Sequence, residues 1–176
     1  HSRNVITSIL NMQKNIWVKA GGFELSGKTV GIVGFGNIGF DLAKLLFPFG
    51  CKIIYNDIID KTEQAKEAGA AYANYNKILK TSDIITFHVP STPKTINMYS
   101  YPEISLTKPS ALIINTARGN ILDFKAVCSA VAENKLGGFG SDVFPTEPMD
   151  LSNFSKIKNI YFTPHIGGSS KEAILN

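Results

Sequence analysis

The chain has 176 residues, of which 44% are hydrophobic and 18% are charged, and this composition is typical of one globular domain with a buried core. The formal net charge is +4 with the basic residues scattered along the chain, which excludes the concentrated basic face that a nucleic-acid-binding protein needs. No apolar run approaches the roughly 20 residues that span a bilayer, so we expect no membrane partner. The two cysteines, Cys51 and Cys128, lie in apolar patterns and are read as core residues, which favours a cytoplasmic protein without a disulfide or metal site.

Short β-branched runs alternate with helix-like segments, which predicts an α/β fold: a Rossmann-type, doubly wound parallel sheet covered by helices on both faces. Pro48 and Gly50 end the first of these helices, and Asp123 is a suitable N-cap for the last. We expect the six strands to take the order 3-2-1-4-5-6. The predicted strands are residues 29–33, 51–56, 84–88, 111–115, 136–141 and 159–162, and the predicted helices are 38–47, 61–68, 75–80, 101–106 and 123–134.

A glycine motif, Gly34-x-Gly36-x-x-Gly39, joins the first predicted strand to the first of these helices. The three glycines suit a tight turn, a backbone approach to a pyrophosphate, and close packing of helix on strand, respectively. The helix that starts near Asn37 points free N–H groups and its positive dipole end at that anion. Asp57 closes the second strand, at roughly the 20-residue spacing of a ribose-binding carboxylate. A lone glycine motif could be an ordinary turn, but this combination predicts a dinucleotide site.

Further polar residues follow the carboxyl ends of later strands, and these ends meet at one edge of a parallel sheet. Arg118 offers a planar fork that suits a carboxylate, and Glu147 lies in a loop stiffened by prolines. His165 lies in a turn held by proline and glycine, and a histidine with a carboxylate partner exchanges protons near neutral pH. Taken singly, Arg118 and Glu147 could be surface residues and His165 a structural histidine. Their joint position beside a dinucleotide site favours a catalytic set.

From about Gly22 to Glu172, the chain resembles the cofactor-binding domain of the D-isomer-specific 2-hydroxyacid dehydrogenases. Five ordered motifs carry the resemblance: residues 25–39, 82–90, 115–119, 141–148 and 163–169. Within that family, the motifs after Asp142 and Pro164 and the segment Thr95-Ile-Asn-Met98 are most similar to the phosphoglycerate branch.

The resemblance implies roles for individual residues. Arg118 would bind the substrate carboxylate, His165 would be the acid and base, and Glu147 would pair with His165. Asp142 would bind the nicotinamide carboxamide, while Asp57 would bind the adenosine ribose and so favour NAD over NADP. The implied NAD site consists of Gly34, Gly36, Asn37, Ile38, Gly39, Asp57, His88, Val89, Pro90, Thr95, Thr116, Ala117, Arg118, Asp142, His165, Gly167 and Gly168.

The resemblance also implies an isolated cofactor-binding domain. The sequence begins at His1, which suggests a fragment. Residues 1–21 would be the remnant of a linker helix from a missing substrate domain, residues 22–170 the NAD-binding domain, and residues 171–176 the start of a return helix. The family associates through this domain, so a homodimer is expected.

Three functions remain open at this point. The first is hydride transfer between NAD(H) and a small anionic D-2-hydroxyacid/2-oxoacid pair, in the phosphoglycerate branch 3-phosphoglycerate and 3-phosphohydroxypyruvate. The second is an NAD(H)-sensing regulatory module of the co-repressor type, and the third is a different oxidation, such as that of formate or phosphonate. We expect little turnover from the isolated domain, because it lacks the second wall that excludes water and grips the substrate.

Overall fold

The computed structural model describes residues 2–19, 21–154 and 156–171, and within these ranges seven strands form one parallel sheet. Their order is β3-β2-β1-β4-β5-β6-β7, and every neighbouring pair is parallel. The strands are β1 (Thr29–Val33), β2 (Lys52–Asn56), β3 (Ala70–Tyr72), β4 (Ile84–Phe87), β5 (Leu112–Asn115), β6 (Gly138–Ser141) and β7 (Ile160–Phe162). The predicted α/β class with a parallel sheet is confirmed.

The helices of the described residues are α1 (Val5–Gln13), α2 (Asn37–Leu46), α3 (Thr62–Glu67), α4 (Tyr75–Thr81), α5 (Tyr101–Leu106) and α6 (Phe124–Ala132). Helices α2 to α6 agree with the predicted helices to within two residues at each end. The local signals act as expected: Gly50 has φ 71° just after a 3₁₀ turn that contains Pro48, and Asp123 accepts a hydrogen bond from the Ala126 N–H at 3.0 Å. None of these helices combines the length and apolarity needed to cross a membrane.

Two apolar clusters lie against the sheet. One packs α2 and α3 against Ile32 and Ile53, and the other packs α4, α5 and α6 against Ile85 and Phe139. Along β1, Ile32 belongs to the first cluster and Val33 to the second, because successive strand residues point to opposite faces. The sheet is therefore covered on both faces, and its carboxyl edge is left to the connecting loops.

The predicted strand order needs a correction. With six strands, the order 3-2-1-4-5-6 would have placed residues 84–88 at the outer edge beside the second strand, whereas β4 pairs directly with β1. The outer place belongs to β3, which pairs with β2 from Ile53↔Ala70 onward and was not predicted. Three residues with two alanines give almost no strand signal in the sequence. Once β3 is counted, the usual order holds.

Two of the predicted segments lie at the ends of the chain. Helix α1 lies within the segment predicted as a linker remnant, and it contains no buried residue. The Thr7 hydroxyl lies 3.0 Å from the Tyr161 hydroxyl, a contact between α1 and β7. Residues 172–176, which were predicted to begin a return helix, lie outside the described residues.

Candidate active site

The glycine turn after β1 has the geometry that its sequence predicts. Gly34 has φ 94°, and a Cβ there would lie 2.5 Å from the His88 carbonyl oxygen, so only glycine fits. A Cβ at Gly39 would lie 2.3 Å from the Gly34 oxygen, because α2 packs closely on β1. A Cβ at Gly36 would meet no described atom within 4 Å. The backbone at Gly36 is therefore open to a ligand.

Helix α2 begins at this opening. Its N-cap, Gly36, supplies no side-chain acceptor, so the first-turn N–H groups at Asn37 and Ile38 are available to an anion. Asp57, just past β2, accepts hydrogen bonds from the Phe35 N–H at 2.6 Å and the Ile59 N–H at 2.9 Å. These two bonds hold the carboxylate beside the glycine turn, and each oxygen keeps a further lone pair for a hydroxyl donor.

The end of β4 forms the next part of the edge. The His88 N–H donates to the Val33 oxygen at 2.7 Å, and its Nε2 lies 3.0 Å from the Thr86 hydroxyl. Burial lowers the pKa of His88 to about 4, so this histidine is neutral near pH 7. In the loop that follows Val89, the Thr95 hydroxyl donates to the Pro90 oxygen at 2.6 Å. Thr95 thus holds its own loop.

The turn after β5 carries Thr116, Ala117 and Arg118. Arg118 is exposed, and its Nη1 donates to the Ala117 oxygen at 2.6 Å. Gly119 follows, and a Cβ there would lie 1.9 Å from the Phe144 carbonyl carbon. The backbone of the Arg118 turn is therefore packed directly on the loop that leads to Glu147.

Asp142, at the end of β6, is 7% exposed and binds the loop that carries His165. Its carboxylate accepts hydrogen bonds from the Thr163 hydroxyl at 2.5 Å, the Ile166 N–H at 2.9 Å and the Gly167 N–H at 2.8 Å. Desolvation raises the pKa of Asp142, but these donors and the nearby His165 outweigh it, so the pKa lies below its usual value. The predicted carboxamide contact would have to share a carboxylate that already holds this loop.

His165 and Glu147 form a pair at this edge. The Nδ1 atom of His165 lies 2.7 Å from Oε2 of Glu147, and Oε1 of Glu147 accepts from the Phe144 N–H at 2.9 Å. The hydrogen bond from His165, followed by that from Phe144, lowers the pKa of Glu147, so the carboxylate is ionised at neutral pH. Since Nδ1 is engaged, the other ring nitrogen, Nε2, is left for a substrate.

A cavity of about 390 Å³ adjoins this pair. It is lined by Phe144, Glu147, Pro148, Met149, Leu151, Phe162, Thr163, Pro164 and His165. Among the residues that the structure describes, no group of three or more His, Cys, Asp and Glu side chains could hold a metal ion.

The predicted residues thus lie along one edge, with His88 at β4 and Arg118 at β5 between two outer groups. The glycine turn and Asp57 lie at β1 and β2, while Glu147 and His165 lie at β6 and β7. Strands β2 and β7 are separated by four others, or roughly 24 Å at about 4.8 Å per strand, so only an extended ligand could reach both groups.

Four further residues shape the site, although no role was predicted for them: Asn115, Gly119, Phe144 and Thr163. Asn115 donates from Nδ2 to the Arg118 oxygen at 2.9 Å and accepts from the Ala117 N–H at 3.1 Å. A polar residue that ends an apolar strand was the available signal for Asn115. The contact of Gly119 with Phe144 has no sequence signal, because it joins separate loops.

These features suit a dinucleotide. The open backbone at Gly36, the uncapped start of α2 and the carboxylate at the end of β2 match the phosphate and ribose requirements of such a ligand. The hydrogen-bonded pair of His165 and Glu147 lies at the far end of the same edge. Fold and site together define a dinucleotide-binding domain.

The family follows from comparison with known sequences. Residues 1–167 match the family described as D-isomer specific 2-hydroxyacid dehydrogenase, NAD binding domain, and the chain belongs to this family of NAD-binding domains. It is 45% identical over 152 residues to a glyoxylate reductase of Thermococcus litoralis, covering 86% of this chain and 46% of that protein. It is 38% identical to D-3-phosphoglycerate dehydrogenase of Escherichia coli, covering 97% of this chain and 43% of that protein. The chain thus spans less than half the length of these relatives.

Solved structures agree with this assignment. The apo-structure of D-lactate dehydrogenase from Escherichia coli superposes with a TM-score of 0.91 at 28% identity, over 98% of this chain and 55% of that one. D-lactate dehydrogenase from Aquifex aeolicus, complexed with NAD and lactic acid, gives a TM-score of 0.90 at 28% identity, over 99% of this chain and 58% of that one. The predicted family, fold and cofactor are confirmed.

Proposed function

We propose that the protein carrying this chain is an NAD-dependent oxidoreductase that interconverts a D-2-hydroxyacid and its 2-oxoacid. The observation that supports it is the 2.7 Å pair of His165 Nδ1 with Glu147 Oε2, at the same sheet edge as the dinucleotide turn. Residues 22–170 would form the NAD-binding domain, residues 1–21 the end of a linker from the substrate domain, and residues 171–176 the start of a return helix.

Each residue has a distinct task in this proposal. Bound NAD(H) supplies or accepts the hydride. Arg118 binds the substrate carboxylate through its guanidinium fork and orients the carbon that reacts. His165 donates a proton from Nε2 to the carbonyl oxygen during reduction and takes the hydroxyl proton during oxidation. Glu147 orients the ring through Nδ1 and stabilises its protonated form by charge.

The decisive experiment uses the full-length protein, NADH and a panel of 2-oxoacids. We expect Arg118→Ala and His165→Ala each to abolish turnover, while NADH titration gives a Kd close to that of the unaltered protein. Lys80→Ala, at an exposed lysine in the last turn of α4, is the control and should change neither quantity. Turnover retained in either site variant would contradict these roles.

The same assay separates the enzyme from an NAD(H)-sensing regulator of the co-repressor type. A regulator needs the cofactor site but has no need of a proton donor held at hydrogen-bond distance by a carboxylate. Absence of turnover in the unaltered protein, together with NADH-dependent capture of a protein partner, would support the regulator.

For the substrate, we propose the pair 3-phosphoglycerate and 3-phosphohydroxypyruvate. The support is the 38% identity to D-3-phosphoglycerate dehydrogenase over 97% of the chain, together with the net charge of +4, which suits a substrate that carries both a carboxylate and a phosphate. Glyoxylate is the alternative substrate for comparison, because the chain is 45% identical to a glyoxylate reductase. The ratio of kcat/KM for the two oxoacids tests the choice, and a preference for glyoxylate would overturn it.

For the cofactor, we propose that Asp57 selects NAD over NADP. A carboxylate at the end of β2 would accept hydrogen bonds from ribose hydroxyls and repel a 2′-phosphate. Asp57→Ala should weaken NADH binding far more than NADPH binding in direct titrations of this chain. Equal losses for both cofactors would remove the ribose role.

For assembly, we propose a cytoplasmic homodimer formed through the cofactor domain, with helix α1 of the adjoining linker segment in the interface. Helix α1 contains no buried residue, and its apolar side chains, such as Ile9 at 51% and Met12 at 50%, are half exposed. A second copy of the chain would cover this face. The change Ile9→Lys should shift the sedimentation of the full protein from dimer to monomer, whereas Leu106→Lys on α5 should not. Unchanged sedimentation in the Ile9 variant would contradict the dimer.

A further inference from the structure

Asn115, the last residue of β5, is a buried polar residue to which the proposed reaction assigns no role. Asn115 is only 1% exposed to solvent. Its Nδ2 donates to the Arg118 oxygen at 2.9 Å, and its Oδ1 accepts from the Ala117 N–H at 3.1 Å. Both ends of the amide are thus used within the turn that carries Arg118.

The backbone of Asn115 is held by the sheet. It pairs in register with Phe87 of β4 and Ser141 of β6, and its oxygen accepts from the Asp142 N–H at 3.0 Å. Because its backbone is fixed by pairing with β4 and β6, the Asn115 side chain holds the following turn in place relative to these three adjacent strands. An amide costs free energy when buried without partners, so its two bonds matter more than those of an exposed residue.

Arg118 depends on the same turn. Its Nη1 donates to the Ala117 oxygen at 2.6 Å, and the Ala117 N–H is the group that Asn115 accepts from. Loss of the Asn115 amide would free the backbone on both sides of Ala117. The guanidinium would then sample several orientations and reach the substrate carboxylate in only a fraction of them.

We propose that Asn115 is a positioning residue that holds Arg118 in the orientation that binds the substrate carboxylate. This proposal rests on the function proposed above for Arg118. A purely structural role for Asn115 would lower stability alone, whereas a positioning role also predicts an effect on substrate affinity that disappears once Arg118 is removed.

The test combines Asn115→Ala, Arg118→Ala and the double variant in the full-length protein. Asn115→Asp is included as a second variant, because it keeps an acceptor for Ala117 and loses the donor, although it also introduces a carboxylate. The matched control is Asn56→Ala, since Asn56 also ends a strand and donates from Nδ2 to a backbone oxygen, that of Ala73, at 3.1 Å. Readouts are KM and kcat for the 2-oxoacid, the Kd for NADH, the melting temperature, and amide hydrogen exchange of this chain.

We expect Asn115→Ala to raise KM by about tenfold or more, because small errors in orientation cost rate steeply. Asn115→Asp should act in the same direction, and Asn56→Ala should leave KM unchanged. In the Arg118→Ala background, where turnover is lost, the readout is the Kd of the 2-oxoacid for the NADH complex, and adding Asn115→Ala should change this Kd by less than about twofold. The Ala117 amide should exchange faster in Asn115→Ala, while the β5 amides stay protected.

The proposal would be overturned if the effects of Asn115→Ala and Arg118→Ala on substrate affinity multiply in the double variant. It would also be overturned if Asn115→Ala lowers the melting temperature and leaves KM unchanged. Failure of the proposed function looks different, since the unaltered protein would then reduce no 2-oxoacid and Arg118→Ala would change nothing. Unchanged exchange at Ala117 in the Asn115 variant would reject the positioning role whatever the substrate is.

Discussion

Gly119 and Phe144 pack backbone against backbone, so closely that a Cβ on Gly119 would lie 1.9 Å from the Phe144 carbonyl carbon and 2.1 Å from its oxygen. The contact joins the turn of Arg118 to the loop of Glu147, two parts of the site that lie on different strands. A shift of either backbone would therefore move Arg118 or Glu147, which are both proposed catalytic residues.

Gly119→Ala should therefore be strongly destabilising, by about 3 kcal/mol or more, because the new methyl group overlaps backbone atoms. Urea unfolding of this chain measures the loss. The matched control is Gly168→Ala, whose Cβ would meet no described atom within 4 Å, and it should change stability by less than about 1 kcal/mol. Similar losses in both variants would contradict the close packing.

Glu147→Gln tests the pair with His165. The amide is similar in size but carries no charge, so it would neither stabilise a protonated ring nor fix the orientation of His165 as the carboxylate does. We expect kcat of the full-length protein to fall by about 100-fold while the Kd for NADH is kept. Glu133→Gln, which removes an exposed ion pair with Lys135 at 2.6 Å, is the control and should leave kcat unchanged. A normal kcat in the Glu147 variant would show that the pair is dispensable.

Much of the fold could be predicted because its signals are local. Runs such as residues 111–114 are apolar on both faces, as strands inside a parallel sheet must be, and Gly50 and Asp123 mark helix ends through their own backbone and side chain. The strand Ala70–Tyr72 was missed because its pairing with β2, rather than its own residues, makes it a strand.

The candidate site was likewise predicted only in part. The placement of Arg118, Glu147 and His165 at one edge followed from strand ends, and the pairing of the last two is present in the structure. The use of Asp142 and Thr95 to hold loops could not be predicted, because those contacts depend on how loops distant in sequence approach each other.

His88 predicts a dependence of stability on pH. Burial lowers the pKa of His88 to about 4, whereas the unfolded chain takes up this proton near the ordinary value of about 6.5. The unfolded state thus binds more protons between these values, so stability is full above pH 6.5 and is lost as the pH falls toward 4. The loss attributable to His88 should be on the order of 3 kcal/mol.

The measurement is urea unfolding at pH 7.5 and at pH 4.5, for the unaltered chain and for His88→Gln, which can still hydrogen-bond the Thr86 hydroxyl. The variant should lose less stability between the two pH values, because carboxylates contribute equally to both proteins. An equal loss in both would rule out His88 as the cause.

Ser82, at the end of α4, is fully buried, and among the described side chains its hydroxyl is a buried polar group without a hydrogen-bond partner. It packs where α4 crosses β1, since a Cβ on Gly31 would lie 2.4 Å from the Ser82 Oγ. Ser82→Ala should keep or raise stability by up to about 1 kcal/mol, because an unsatisfied hydroxyl leaves the interior. Ser141 is the matched control: it is also buried, at 4% exposed, but its Oγ donates to the Val143 oxygen at 2.8 Å. Ser141→Ala should cost about 1 kcal/mol in urea unfolding, and an equal loss in the Ser82 variant would mean that its hydroxyl has a partner after all.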